Sequence, residues 1–147
     1  MDKTLRVLVA TPKNDFDEEC ETNGSPFPEF VHYDIIHTTE EYDALADKFS
    51  YDAIVVWFGG IFVQSVLNDQ AIHSKKIRWV HSLTAGVDSY LQAKDFANAE
   101  HIPLTNSKGC FSQALAEYIA FGLLYHTKNL ERLLENQHKR EWKVEMI

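Results

Sequence analysis

The sequence predicts an α/β fold of the flavodoxin-like or Rossmann-like kind: a five-stranded parallel sheet with helices on both faces, followed by a long C-terminal helix. Three observations predict it. Short apolar runs recur along the 147 residues, helical patterns lie between them, and a long helical pattern follows the last run. Runs that alternate little are typical of strands buried on both faces. Regular alternation of strand and helix implies right-handed crossovers within one parallel sheet.

The predicted strands and helices follow from apolar spacing. The five strands are predicted at residues 5–10, 33–36, 53–57, 77–81 and 102–105. The three helices between the later strands are predicted at residues 39–49, 62–71 and 88–99. Thr38 or Thr39, with acidic residues directly after it, gives the first helix a start signal.

The segment after Ser112 predicts a single helix of about thirty residues, which exceeds the usual globular length. Leu115, Ile119 and Leu123 begin a mainly apolar stripe at helical spacing, and the far end becomes strongly charged. We therefore expect a flavodoxin-like domain over residues 1–110 and a long helical segment over residues 111–147.

Composition excludes several classes of partner. The formal net charge of −8 argues against nucleic acid and anionic membranes, because phosphate binding needs a basic stripe. No apolar run reaches the length of about 20 residues that a membrane span requires, and no signal peptide is recognisable. Cys20 and Cys110 suggest neither a disulfide framework nor a metal motif, so we expect a cytoplasmic protein.

An acidic cluster in the first loop makes a metal site conceivable. It lacks the Gly and terminal Glu spacing of a calcium loop, so a solvated loop is favoured and no metal is expected. The cluster comprises Asp15, Asp17, Glu18, Glu19 and Glu21.

The turn after the fourth strand, from Ser82 to Asp88, is the most informative segment. Small, turn-prone residues lead to an Asp that can cap a helix, so backbone N–H groups would face a carboxylate or phosphate at a helix entrance. A second such segment, residues 104–109, follows the fifth strand. Because ligands of parallel sheets bind at the carboxyl ends of the strands, the two segments predict a binding cleft.

Other chemistries are disfavoured. The glycines match neither the GxGxxG nor the Walker spacing, so no nucleotide site is predicted. The first loop lacks the hydroxyl-rich sequence that holds a flavin phosphate. A receiver domain is nearly excluded, because strands that end in Ala10-Thr11 and Trp57-Phe58 lack the necessary carboxylates.

Histidine and serine side chains near the turn could in principle act as acid, base or nucleophile. His81 has no identifiable carboxylate or cysteine partner, so a hydrogen bond to backbone is the favoured interpretation. Ser82, Ser107 and Ser112 lie outside any GxSxG elbow, and turn or cap roles are favoured for them.

Four motifs together resemble the D-isomer-specific 2-hydroxyacid dehydrogenases, most closely the glyoxylate and hydroxypyruvate reductase-like members. The resemblance extends over the whole chain and is weakest over residues 1–50. Its motifs are Ile77-Arg78-Trp79-Val80-His81-Ser82-Leu83-Thr84-Ala85-Gly86-Val87-Asp88, Leu104-Thr105-Asn106-Ser107-Lys108-Gly109, Ala116-Glu117-Tyr118, and Asn136-Gln137 with Trp142.

The resemblance implies a substrate-binding domain. It implies that the main-chain N–H groups of Ala85, Gly86 and Val87 bind the substrate carboxylate, and that Phe58 and Gly59 form a neighbouring loop that touches the substrate. Cleft or hinge positions are implied for Asn106, Phe111 and Ser112.

The resemblance also implies a 2-keto acid or 2-hydroxy acid as substrate and NAD or NADP as coenzyme. In the family, the coenzyme domain follows the segment equivalent to residues 111–147, and the catalytic Arg, His and carboxylate come after it. We therefore expect no catalytic residue in this chain, no tight coenzyme binding and no activity of the chain alone.

Two expectations concern assembly. In the family the long helix packs on the coenzyme domain and on the partner subunit, so the isolated chain is expected to form a homodimer through residues 112–142, with helix exchange as one route. The alternative is a non-catalytic flavodoxin-like module for binding or oligomerisation.

Overall fold

The computed structural model describes residues 4–11, 23–57 and 60–143. Contacts between Cα atoms divide the chain into a sheet unit, Met1–Lys108, and a helical unit, Gly109–Ile147. The sheet unit holds every strand of the described chain, and the helical unit holds two helices.

The sheet is five-stranded and entirely parallel, which confirms the predicted α/β class and the predicted number of strands. Its strands are β1 (Leu5–Ala10), β2 (Val31–Ile36), β3 (Ala53–Val56), β4 (Trp79–Ser82) and β5 (Leu104–Asn106). Their spatial order is β2-β1-β3-β4-β5, so the chain reverses direction across the sheet beside β1. In flavodoxin-like sheets that reversal point and the carboxyl ends of the strands are where ligands bind.

Three helices of the sheet unit pack on one face of the sheet. They are α1 (Thr39–Ala44), α2 (Ile61–His73) and α3 (Lys94–Ala97). Tyr42, Val63 and Phe96 from these helices join Leu8 and Ile54 of the strands in one buried cluster.

Two of these helices are shorter than the sequence predicts. Residues 45–49 leave the helix because Leu45 adopts an extended conformation, with ψ at 122°. Before α3, Tyr90 and Ala93 are buried in successive turns, where the N–H of Ala93 donates to Tyr90 O at 3.0 Å. The three-residue spacing of these apolar side chains therefore comes from turns rather than from a continuous helix.

The opposite face of the sheet carries a second apolar cluster. Val7, Val9, Ala53 and Val55 form its centre, and Trp57 packs at its margin. Within the described part of the sheet unit, no helix contributes a buried side chain to this cluster. An open cavity of about 500 Å³ lies on the same face.

The helical unit corrects the prediction of one long C-terminal helix. It contains α4 (Ser112–Thr127) and α5 (Leu130–His138), separated by Lys128 and Asn129. Asn129 adopts the left-handed conformation, with φ at 47° and ψ at 49°, so the helical hydrogen-bond pattern cannot continue through it. Asn is one of the few residues that visit this region readily.

Replacing Asn129 with alanine tests the cause of the break. A left-handed alanine costs roughly 1 kcal/mol or more, whereas alanine favours helix, so Asn129→Ala should increase helix content. Asn129→Gly, which tolerates the left-handed conformation, is the control and should keep the wild-type spectrum. Equal far-ultraviolet circular dichroism spectra for the two variants would contradict this explanation.

Candidate functional site

The candidate site lies at the carboxyl ends of β4 and β5. These neighbouring strands are in register so that Ser82, the last residue of β4, pairs with Asn106, the last residue of β5. The segment from Thr84 to Val87, which we call the cradle loop, begins two residues after the end of β4. It therefore lies beside the end of β5, as expected for a parallel pair.

The base of the cradle loop is fixed by buried hydroxyl groups. The N–H of Leu83 donates to Val56 O at 2.9 Å, and that of Thr84 donates to Ser82 Oγ at 3.1 Å. The hydroxyl of Ser107, which directly follows β5, donates to Ser82 O at 3.2 Å. Ser82 and Ser107 are both buried, which agrees with turn roles rather than nucleophilic ones.

Three consecutive carbonyl groups of the cradle loop are held by hydrogen-bond donors. Thr84 O accepts from the N–H of Ser107 at 3.2 Å, and Ala85 O accepts from Asn106 Nδ2 at 2.7 Å. Gly86 O accepts from the hydroxyl of Thr84 at 2.9 Å. Each peptide unit from Thr84 to Val87 thus has its oxygen held by a donor.

Held carbonyls also fix the directions of the amide hydrogens. The described peptide bonds are trans, so each N–H points away from the carbonyl of its own peptide unit. The N–H groups of Ala85, Gly86 and Val87 have no acceptor among the described residues. Ala85 and Gly86 are exposed, and Val87 is half-buried. The loop therefore offers three donors without an acceptor among the described residues, and backbone N–H groups of this kind can bind an anion such as a carboxylate.

The geometry corrects the prediction that Asp88 caps a helix. Residues 88–92 form turns, and α3 begins only at Lys94 and has four residues. A helix entrance with its dipole therefore does not explain the cradle loop. The donors are instead oriented by the groups that hold the carbonyls. The contacts from Asn106 and Ser107 are tertiary, and the contact from the Thr84 hydroxyl is local.

His81 is bonded to side chains, not to backbone as predicted. Its Nδ1 lies 2.8 Å from Thr105 Oγ1, and its Nε2 lies 3.4 Å from Ser107 Oγ. Trp79 Nε1 also donates to Thr105 Oγ1 at 2.8 Å. Both ring nitrogens of His81 therefore have hydroxyl partners, and no carboxylate hydrogen-bonds to the ring in the described chain.

The structure brings together only part of the predicted site. Ala85, Gly86, Val87 and Asn106 lie together, whereas Phe58 and Gly59 fall outside the described residues. Phe111 and Ser112 belong to the helical unit, where they begin α4 and are exposed.

Sequence reasoning missed how Thr84 and Asn106 act on the loop. Both residue types commonly hydrogen-bond to nearby backbone in turns, which was the available signal. Thr84 lies within the turn motif itself. The Asn106 contact, however, joins residues 21 positions apart, so only the pairing of β4 with β5 creates it.

The described residues form neither a metal site nor a membrane-spanning helix. No group of three metal-ligating side chains forms among residues 4–11, 23–57 and 60–143, and the acidic cluster of the first loop falls outside them. In the same part of the chain, no helix combines the length and the apolar character needed to cross a bilayer.

Comparison with known proteins gives a structural likeness. No family model matches the sequence, and no curated protein matches it. Among solved structures, the chain is similar to a D-isomer specific 2-hydroxyacid dehydrogenase family protein from Aeromonas salmonicida subsp. salmonicida A449, with a TM-score of 0.57 and 19% identity. The match covers 97% of this chain and 42% of that one. At this identity the likeness shows a shared fold.

Proposed function

We propose that the chain is the substrate-binding part of a D-2-hydroxyacid dehydrogenase, whose cradle loop binds the carboxylate of a 2-keto or 2-hydroxy acid. The observation that carries the proposal is the set of three oriented N–H groups at Ala85, Gly86 and Val87. Two further observations support it: the four motifs that resemble this family, and the fold shared with a family member of which the chain spans 42%.

The proposed reaction interconverts a 2-keto acid and a 2-hydroxy acid, with NAD or NADP supplying or accepting the hydride when it is bound. The chain's part is to hold one end of the substrate so that the reacting carbonyl is fixed in position. Phe58 and Gly59 are proposed to contact the same substrate. The glycines of the chain fit no coenzyme-phosphate motif, so its own residues are not proposed to hold the coenzyme.

Titration with pyruvate tests carboxylate binding directly. In amide-resolved nuclear magnetic resonance spectra, pyruvate should shift the signals of Ala85, Gly86 and Val87, because a carboxylate would accept their hydrogen bonds. Acetone, a ketone without a carboxylate, is the control and should leave them unchanged. Pyruvate-induced shifts that avoid the cradle loop would refute the proposed site.

The chain alone is expected to be catalytically inactive. Hydride transfer needs the nicotinamide, the substrate carbonyl and a proton donor in one closed site, and the chain is proposed to supply only the carboxylate site. Oxidation of NADH or NADPH with pyruvate or glyoxylate should not exceed the rate without protein. A rate proportional to protein concentration would contradict this expectation.

A second proposal, a binding or oligomerisation module, is favoured by the surface of α4. This helix has no buried residue, and its exposed large apolar side chains include Leu115, Ile119 and Leu123. Exposed apolar patches of this kind mark interaction surfaces. We propose a homodimer formed through residues 112–142, which is compatible with either function.

A cytoplasmic location is also proposed, from cysteine usage alone.

A further inference from the structure

We propose that Asn106 is a positioning residue of the cradle loop, whose side-chain amide sets the direction of the Gly86 N–H and thereby strengthens carboxylate binding. This inference rests on the proposed function. In this role Asn106 does not contact the substrate; it orients the Gly86 N–H, which does.

The first step is the geometry of one peptide unit. Asn106 Nδ2 donates to Ala85 O at 2.7 Å, which is the shortest contact holding the cradle loop. Ala85 O and the N–H of Gly86 belong to the same planar peptide, so fixing the oxygen fixes the opposed N–H.

The second step is the orientation of the Asn106 amide itself. Asn106 Oδ1 accepts from the N–H of Lys108 at 3.4 Å, a backbone donor that cannot bond to Nδ2. The amide nitrogen is therefore directed to Ala85. Rotating the amide by half a turn would place two carbonyl oxygens against each other.

The third step is that no other described donor holds this peptide. The neighbouring peptide units are held by the backbone N–H of Ser107 and by the hydroxyl of Thr84, which lies in the loop itself. The hydroxyl of Ser82 also donates to Thr84 O, at 3.2 Å. Asn106 is thus the one described side chain that holds the carbonyl of Ala85. Its removal should free Gly86 while leaving the base of the loop fixed.

Asn106→Leu tests the assignment, since leucine has nearly the same shape and carries neither donor nor charge. The residual dipolar coupling of the Gly86 N–H should change, because it reports the direction of that bond. The affinity for pyruvate should fall about three- to tenfold, the effect of one hydrogen bond. Asn98→Leu, at an exposed asparagine away from the cradle loop, is the control and should change neither quantity.

The outcomes separate this inference from the proposed function. Wild-type protein that binds pyruvate, together with an Asn106→Leu variant of equal affinity and unchanged Gly86 coupling, overturns the positioning role alone. Wild-type protein that fails to bind pyruvate overturns the proposed function. In that case an altered Gly86 coupling in the variant still supports control of the peptide by Asn106, and an unaltered one overturns it.

Discussion

Replacing Ile119 and Leu123 with glutamate is expected to convert the proposed dimer into a monomer. Both side chains lie on α4, at 63% and 62% exposure, and are one helical turn apart. If they are buried in the dimer, the double variant removes four large apolar side chains from one interface, two from each copy. At roughly 1.5 kcal/mol or more for each, the dissociation constant should rise about ten-thousandfold.

Molar mass from light scattering at several protein concentrations measures this effect. The matched control replaces Gln113 with Glu and Lys128 with Gln, which also makes the chain more negative by two charges. Both control residues are exposed: Gln113 lies in the first turn of α4, and Lys128 directly follows that helix. Association should persist in the control. A monomeric wild-type chain, or a dimer that tolerates both glutamates, would show that α4 is not the interface.

Asp69→Ala is expected to destabilise the sheet unit by about 2–3 kcal/mol, because it removes an acceptor of charge-assisted hydrogen bonds. Asp69 lies on α2 and accepts from Tyr42 Oη at 2.8 Å, Lys48 Nζ at 3.2 Å and His73 Nδ1 at 2.9 Å. Tyr42 is buried on α1, so the variant leaves its hydroxyl without that acceptor. Denaturation by urea measures the loss.

Asp43→Ala provides a control with the same cation. Asp43 accepts from Lys48 Nζ at 3.1 Å, but its side chain is 63% exposed. Exposed ion pairs contribute about 1 kcal/mol at most, so this variant should unfold close to wild type. Equal losses for Asp43→Ala and Asp69→Ala would show that the bond to Tyr42 contributes nothing.

The contribution of Asp69 to the stability of the sheet unit should decrease at acid pH. Burial opposes ionisation of Asp69, but the hydrogen bonds from Tyr42, Lys48 and His73 and the Lys48 charge outweigh it and lower its pKa. Because the pKa is lower in the folded chain than in the unfolded chain, Asp69 adds its full stability at pH values above its unfolded-state pKa of about 3.9. This stability is lost as the pH falls through the folded-state pKa. The difference between wild type and Asp69→Asn should therefore be constant above about pH 5 and shrink below pH 4.

Burial and the bond to Asp69 also raise the pKa of Tyr42 above its ordinary value. Tyr42 therefore keeps its proton across the range in which Asp69 titrates. A stability difference between wild type and Asp69→Asn that stays constant down to pH 2 would contradict the assignment of the acid dependence to Asp69.

Much of the sheet could be predicted from the sequence because its signals are local. In runs such as Leu5–Ala10 most residues are buried in the sheet, and the five predicted strands all occur, with bounds shifted by no more than two residues at either end. Thr38 caps α1 as its residue type predicts, since its Oγ1 accepts from the N–H of Glu41 at 3.2 Å.

Helix lengths were less predictable, since apolar spacing does not distinguish a helix from successive turns. Tyr90, Ala93 and Phe96 recur every three residues, which suits both a helix and the turns that precede α3. Asn129 interrupts the C-terminal helical pattern through its backbone conformation, although asparagine within a helix is common enough to give no clear signal.

The sequence by itself determined the α/β class, the number of strands and the segment in which a carboxylate site could form, because apolar periodicity and turn composition act locally. The tertiary structure decided how that segment presents its donors. Asn106 ends the strand beside the cradle loop and Ser107 follows that strand, so their bonds to Ala85 O and Thr84 O exist only once β4 and β5 are paired. The orientation of the Ala85 and Gly86 N–H groups is therefore a product of sheet pairing, which no local pattern of residues encodes, whereas the hydroxyl of Thr84 orients the Val87 N–H from within the loop.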